Sequence, residues 1–191
     1  MSDLFRRRYT IPPAVTVVRH QLVDEDVTQD APLALWLMLN PSIANADRSD
    51  PTATKVAMFT TLLARHLGRP LRGWAIANLF VPVATKPKAL PGLTEHVDPN
   101  GADAADHFRR LLDLAGPDGP VIFAWGSFGG FPKWFRSRAE ARVMAMKRVL
   151  RDAGRASVYY LGRADDGNPR HPLMLAYETP FEVEHIPELA A

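Results

Sequence analysis

The chain has 191 residues, 47% of them hydrophobic, which favours one globular domain with its own core over two small domains. It contains no cysteine, which excludes disulfides, thiolate metal sites, iron–sulfur clusters and a cysteine nucleophile. The net charge is only +2, but residues 131–170 hold ten Lys or Arg against four Asp or Glu. Such a basic segment suits phosphate groups, and a solvated helix face is the alternative.

Taken in chain order, the apolar stretches alternate between strand-like and helix-like patterns. We predict strands at 15–22, 33–39, 74–80, 121–124 and 158–161, and an edge strand at 181–185. We predict helices at 51–67, 102–115 and 138–153. Asp50 caps the first helix, Pro51 occupies its first position, and a Pro- and Lys-rich loop fills 81–100.

This alternation of strands and helices predicts the fold class. We expect a single α/β domain over 1–191, with its core at about 15–178 and a tail at each end. Its centre is a mostly parallel sheet of about four strands with helices on both faces.

Four short polar signatures stand out, and three of them directly follow an apolar stretch. They are Leu39-Asn40-Pro41-Ser42, Asn78-Leu79-Phe80, Trp125-Gly126 and Arg170-His171-Pro172-Leu173. In an open α/β sheet, ligands bind at the carboxyl ends of the strands. The chain therefore predicts one composite site at that edge.

Asn40 is the first candidate for this site. Pro41 ends the strand and restricts Asn40 to an extended conformation, so that the Asn40 amide can hold a water or read a base edge. The alternative is a turn in which Asn40 bonds its own backbone. Asp47 is a nearby carboxylate that could orient a water or stabilise a positively charged sugar, or it is a solvated loop residue.

Asn78 ends an apolar strand, where its amide is costly to bury without partners from the protein or a ligand. Phe80 could stack on a flat ligand. Trp125 precedes a glycine that permits close approach, and serves either as a ligand platform or as core. Each of these residues therefore has a ligand-binding interpretation and a packing interpretation.

Two further groups carry polar chemistry. Lys133 and Arg136 lie among aromatic residues, a mixture that suits stacked bases and phosphates, although packing alone explains the aromatics. His171 lies in a Gly- and Pro-rich loop with no obvious structural task, and its imidazole can donate a hydrogen bond to a developing anion. A surface histidine in a turn is the alternative.

The order of these signatures, with Asp50-Pro51-Thr52 between the first two, resembles a widespread bacterial domain family of unknown function over about residues 30–178. More distantly, it is similar to the uracil-DNA glycosylase superfamily, whose fold is a parallel four-stranded sheet flanked by helices. The resemblance implies that Asn40 with Pro41 positions the hydrolytic water and that Asn78 reads the base. It further implies that His171 stabilises the departing base and that Leu175 wedges into the duplex.

The chain departs from the superfamily pattern at four places. Met38 stands where the superfamily has a Gly, and Leu173 replaces a Ser. The first motif lacks its Asp, so catalysis would depend on a poised water or on Asp47. No bulky aromatic follows Pro41, where the chain has Ser42, Ile43 and Ala44. Ser42 is therefore a candidate base-binding residue in a pocket that could accept a pyrimidine enlarged at its 5-position.

We therefore expect a DNA glycosylase-like hydrolase that removes a modified or mismatched base, in repair or in defence against phage. Its partner would be double-stranded DNA with a flipped base, held by Lys133, Arg136 and Arg170, while Leu175 and Phe80 offset the cost of extrusion. The alternatives are a non-catalytic nucleic-acid or nucleotide binder and an enzyme on free nucleosides or nucleotides. We expect no cofactor and no metal. We also expect a cytoplasmic protein without membrane contact, because no uninterrupted apolar segment follows Arg6-Arg7-Arg8 and no stretch is long enough to span a bilayer.

Overall fold

The computed structural model describes residues 21–25 (backbone only), 31–41, 51–84, 86–94 and 101–186. Within these residues, six strands form one sheet. They are β1 (Gln21–Glu25), β2 (Ala34–Met38), β3 (Gly73–Asn78), β4 (Val121–Phe123), β5 (Ser157–Tyr160) and β6 (Glu182–His185). Their order in the sheet is β1-β3-β2-β4-β5-β6. The inner four strands are mutually parallel, and the two edge strands pair antiparallel, so the prediction of a mostly parallel α/β sheet is confirmed.

Helices cover both faces of this sheet. They are α1 (Pro51–Leu67), α2 (Leu90–Thr94), α3 (Ala102–Ala115) and α4 (Lys133–Asp152). Every residue of β2 is buried, because Trp36 and Met38 pack towards α1 while Leu35 and Leu37 pack towards α3 and α4. A strand covered on both faces has a continuous apolar sequence, which is the pattern that predicted this strand.

The first helix follows its sequence signals closely. Pro51 is its first residue, and the buried side chains recur at helical spacing up to Leu63. Gly68, with φ of 64°, directly follows the helix and supplies the left-handed conformation typical of a helix end. Asp50, the predicted cap, lies outside the described residues.

Three elements differ from the sequence prediction. Helix α4 begins at Lys133 rather than 138, because Pro132 is extended (ψ 149°) and Phe135 already belongs to the buried helix face. The predicted loop at 81–100 contains a 3-10 turn at Pro87–Ala89 and then α2. The first strand lies at Gln21–Glu25, and the predicted residues 15–20 fall outside the described part.

The strand order defines where a ligand would bind. From β2 the chain passes through α1 to β3 on one side, and then through α3 to β4 on the other side of β2. The carboxyl ends of β2 and β4 therefore flank a topological switch point, which is where open α/β sheets bind ligands. Among the described helices, none has the length and apolar content needed to cross a membrane.

Candidate functional site

Asn78, the last residue of β3, has a buried side-chain amide that makes no hydrogen bond to the described residues. Its side chain is only 3% exposed, and neither Oδ1 nor Nδ2 has a partner in the described residues. Trp74 and Ile76 pack on the α1 side of the sheet, so alternation along the strand places Asn78 on that side too. A buried polar group left unsatisfied costs about 1–3 kcal/mol. A hydrogen bond from a water or from a ligand would remove this cost.

Asn40 has a partly structural role at the end of β2. Its Nδ2 donates to the carbonyl of Pro41 at 2.8 Å and to that of Ala84 at 2.9 Å. The backbone N–H of Ala84 in turn donates to the Pro41 carbonyl at 3.1 Å. One amide hydrogen thus joins the end of β2 to the segment after β3 and the other bonds the carbonyl of the neighbouring Pro41, so only Oδ1 remains to orient a water.

The Trp-Gly and Arg-His-Pro signatures, 45 residues apart in the sequence, lie against each other. The N–H of Gly126 donates to the Pro169 carbonyl at 3.0 Å. Gly126 has φ of 85°, and a Cβ atom added there would come 3.3 Å from Cβ of His171. Two features therefore favour glycine at this position, its positive φ and the close approach of His171.

The tautomer of His171 follows from its backbone contact. Its Nδ1 accepts a hydrogen bond from the N–H of Leu173 at 3.3 Å, at the start of the 3-10 turn Pro172–Met174. A nitrogen that accepts a hydrogen bond carries no proton, so in the neutral ring the proton lies on Nε2. The contact thus makes Nε2 the donor of this imidazole.

The segment that carries His171 is fixed to helix α1. Lys55 Nζ donates to the Leu175 carbonyl at 2.6 Å and lies 3.9 Å from the ring centroid of Tyr177. The side chain of Leu175 packs against the apolar cluster beneath α1. His171 and Asn78 therefore lie at the same edge of the sheet and on the same side of it.

Strand β2 separates β3 from β4 in the sheet, so the carboxyl ends of β3, which carries Asn78, and β4 lie two strand spacings, about 10 Å, apart.

The loops around His171 are held by Asp166, which sequence reasoning did not single out. Its Oδ2 accepts from Ser127 Oγ (2.8 Å), the Phe128 N–H (2.7 Å) and the Gly129 N–H (3.1 Å). Burial alone would raise the pKa of Asp166, but hydrogen bonds from Asn168, Ser127 and the backbone outweigh it and lower the pKa. The Asp-Asp-Gly-Asn turn at 165–168 is the sequence signal for this anchor.

We expect Asp166→Asn to lower stability only above about pH 4. Because folding lowers the pKa of Asp166, its ionised form stabilises the protein above the usual aspartate pKa of about 3.9, and this contribution is lost as the pH falls through the lowered value. The loss near pH 7 should be on the order of 1 kcal/mol, because the exposed carboxylate is screened by water. Urea unfolding of both proteins between pH 2 and 7 measures it, with Asp165→Asn as control. A pH-independent difference would contradict this role.

We expect Gly126→Ala to destabilise the protein by about 1–3 kcal/mol, because alanine must adopt a positive φ and press against His171. The matched control is Gly130→Ala, where no atom lies within 4 Å and φ is not positive, and where stability should change by less than about 1 kcal/mol. Thermal unfolding of both variants measures the difference. Equal effects would show that the contact with His171 is not tight.

Two predicted base-contacting residues lie in the core. Phe80 is fully buried, stacked on Phe135 at 4.7 Å between ring centroids, with the guanidinium of Arg142 4.3 Å from its ring. Trp125 is 4% exposed, and its indole N–H donates to Asn168 Oδ1 at 2.9 Å. Both rings belong to the cluster on the α3 and α4 side, opposite Asn78. Base stacking by either ring would require it to leave this packing.

The residues predicted to contact DNA differ in their exposure. Lys133, Arg136 and Arg170 are exposed, and Arg170 Nε donates to the Arg163 carbonyl at 3.0 Å. Leu175, the predicted wedge, is half-buried, whereas Met174 beside it is 88% exposed. The apolar tip of this segment is therefore Met174. Ser42 and Asp47 lie outside the described residues.

Some residues of the basic segment make hydrogen bonds and ion pairs within the protein. Arg142, missed by sequence reasoning, is 3% exposed and donates to the Leu79 carbonyl at 2.6 Å. Lys147 and Arg163 each pair with Glu184 at 2.6 Å. Burial raises the pKa of Glu184, but its bonds to Lys147 and Arg163 outweigh this and lower it. Lys147, Arg163 and Glu184, together with Trp125, line a cavity of about 180 Å³ on the α4 side.

Comparison with known proteins places the chain in a family. The family model described as a protein of unknown function, DUF1643, matches residues 19–173. The chain belongs to the DUF1643 family. The match includes all four polar signatures and strands β1 to β5. No curated protein and no solved structure matches the chain.

The predicted resemblance to a domain family of unknown function is thus confirmed, and DUF1643 is that family. No relative supports the more distant similarity to uracil-DNA glycosylases, which stays a prediction. In the described part of the chain, no group of three or more His, Asp or Glu could hold a metal ion.

Proposed function

We propose that this DUF1643 protein binds a modified or mismatched pyrimidine extruded from DNA and hydrolyses its N-glycosidic bond. The observation that carries the proposal is Asn78, a buried amide whose two polar atoms lack partners among the described residues, at the same edge and on the same side of the sheet as His171. An amide presents a donor and an acceptor side by side, which complements the edge of a pyrimidine. Because the Asn78 side chain is only 3% exposed, a base can reach it only if neighbouring atoms move aside.

In the proposed hydrolysis, His171, Asn40 and Asp47 have different roles. Water attacks C1′ of the sugar, the C1′–N bond breaks, and the base departs with the bonding electron pair while the water loses a proton. His171 donates from Nε2 to an oxygen of the departing base and stabilises its negative charge. Asn40 can accept a hydrogen bond from the water through Oδ1, but it cannot take up the proton. Asp47 remains the predicted candidate for that step.

An exposed cationic and aromatic surface supports DNA binding. Lys133 and Arg136 are exposed on the first turns of α4, next to Trp134, which is 45% exposed, and Arg138 lies 5.6 Å from the Trp134 ring centroid. Lys133 and Arg136 have no carboxylate partner in the structure described here. Helix α4 follows β4, so this surface borders the carboxyl edge of the sheet. Cations around an exposed aromatic suit phosphates and an unstacked base.

We expect Lys133→Gln and Arg136→Gln each to weaken binding to duplex DNA and to reduce the salt slope, d log K/d log [salt], by about one. Arg148→Gln is the matched control, because Arg148 is exposed near the other end of the same helix. Fluorescence anisotropy between 50 and 250 mM salt measures all three. Loss of affinity with Arg148→Gln alone would place the DNA surface elsewhere.

The proposed activity is tested with duplexes that carry uracil, a thymine mismatch or a 5-modified cytosine. Incubation, alkaline cleavage and mass spectrometry of the released base should show excision from at least one of them. Hydrolysis of free deoxynucleosides, but not of duplexes, would instead show an enzyme on free substrates.

A non-catalytic nucleic-acid binder is the second candidate function. The observation that favours it is that both amide hydrogens of Asn40 are used by the backbone, which leaves little to activate a water. Duplex binding at Asn78 without release of any base would support it.

A further inference from the structure

We infer that the site accepts both 4-oxo pyrimidines, such as uracil and thymine, and 4-amino pyrimidines, such as cytosine. This inference rests on the proposed function and names its substrate class. The observation behind it is that no hydrogen bond from the described residues fixes the orientation of the Asn78 amide.

The two pyrimidine classes have opposite donor and acceptor patterns along the same edge. A 4-oxo pyrimidine offers a donor at N3 and an acceptor at O4, whereas a 4-amino pyrimidine offers an acceptor at N3 and a donor at the amino group. The amide of asparagine has one donor group and one acceptor side by side. A rotation of 180° about the terminal side-chain bond therefore converts a match for one class into a match for the other.

A protein selects one class by fixing the amide, and this chain does so at other positions. Nδ2 of Asn40 donates to two backbone carbonyls, which fixes that amide in one orientation. Oδ1 of Asn168 accepts from the indole of Trp125, which fixes that one as well. Asn78 is more deeply buried than Asn40, yet neither of its polar atoms is held in this way.

The contrast has a direct consequence for specificity. Because no described residue holds the Asn78 amide in one orientation, the group at C4 does not decide which pyrimidine binds. Selection between substrates must then depend on the 5-substituent and on how easily the base leaves the duplex, which is easiest for mismatched bases.

The test compares four duplexes with the wild-type protein. Each carries one non-hydrolysable nucleotide, with uracil, thymine, cytosine or 5-methylcytosine, opposite an abasic analogue, so that no base pair has to break. Dissociation constants come from fluorescence anisotropy, with a duplex abasic on both strands as reference. We expect uracil and cytosine to bind within about fivefold of each other, and both at least about tenfold more tightly than the reference.

Asn78→Asp provides the matched variant when it is measured at a pH that ionises its buried carboxyl, since a carboxylate only accepts hydrogen bonds. It should favour cytosine over uracil by about tenfold or more, because only cytosine offers a donor at C4. Should this variant fail to fold, as judged by circular dichroism, the wild-type ratio alone decides. A wild-type preference above about 30-fold for either class, well within what a fixed amide achieves, would overturn the inference but leave base binding intact. Binding no tighter than the reference would overturn the proposed function itself.

Discussion

The Asn78→Leu variant should be more stable than the wild type and should no longer bind an extruded base. Leucine has a similar size and removes two buried polar atoms that have no partners among the described residues. Relief of that cost should raise the free energy of unfolding by about 1–3 kcal/mol. For a domain of this size, each kcal/mol raises the melting temperature by about 2–4 °C. Urea and thermal unfolding measure the gain, and anisotropy measures the loss of binding.

Met38→Leu is the matched control for this prediction. Met38 lies directly opposite Asn78 in the pairing of β2 with β3 and is equally buried, but it carries no unsatisfied polar atom. A volume-conserving exchange there should cost less than about 1.5 kcal/mol and should leave base binding unchanged. If Asn78→Leu instead destabilises the protein, then the amide is satisfied within the folded chain, and the case for a ligand at this position fails.

The His171→Ala variant should lose about 10²- to 10³-fold in the rate of base excision while retaining its affinity for duplex DNA. The imidazole acts on charge that develops only as the base departs, so its removal affects the transition state more than the ground state. The fold should persist, because His171 is only partly buried. Single-turnover excision kinetics separate this loss from a change in binding.

His185→Ala is the control for the histidine prediction, since His185 is exposed on the edge strand β6. It should excise at the wild-type rate. An excision rate for His171→Ala within about threefold of the wild type would show that this imidazole takes no part in the departure of the base.

The sequence predicted the fold well where local signals are strong. Pro51 and Gly68 mark the two ends of α1. The apolar run at 33–39 contains β2, because a strand covered on both faces has a continuous apolar sequence. Helix α2 was missed because Pro91 and Gly92 in five residues read as a loop. The sheet order could not be predicted, since which strands become neighbours depends on the crossovers and not on the strands themselves.

The site was predicted less completely, because the side of the sheet that a side chain faces depends on where its strand ends. Asn78 and Phe80 are two residues apart and were expected to act together, but the strand ends at Asn78 and Phe80 turns into the core. Likewise, Trp125 faces α4, while Gly126 after it meets His171. Arg142 was not singled out from the sequence, although its helical spacing from Phe135, Ala139 and Met146 places it on the buried face of α4.

The most direct test of the account is a crystal structure of the protein bound to a duplex with one non-hydrolysable pyrimidine opposite an abasic analogue. We predict that the pyrimidine lies outside the duplex, with its edge within about 3 Å of the Asn78 amide and an oxygen within about 3 Å of His171 Nε2. A pyrimidine that remains stacked in the duplex, or one bound on the α4 side beside Trp125, would contradict the account.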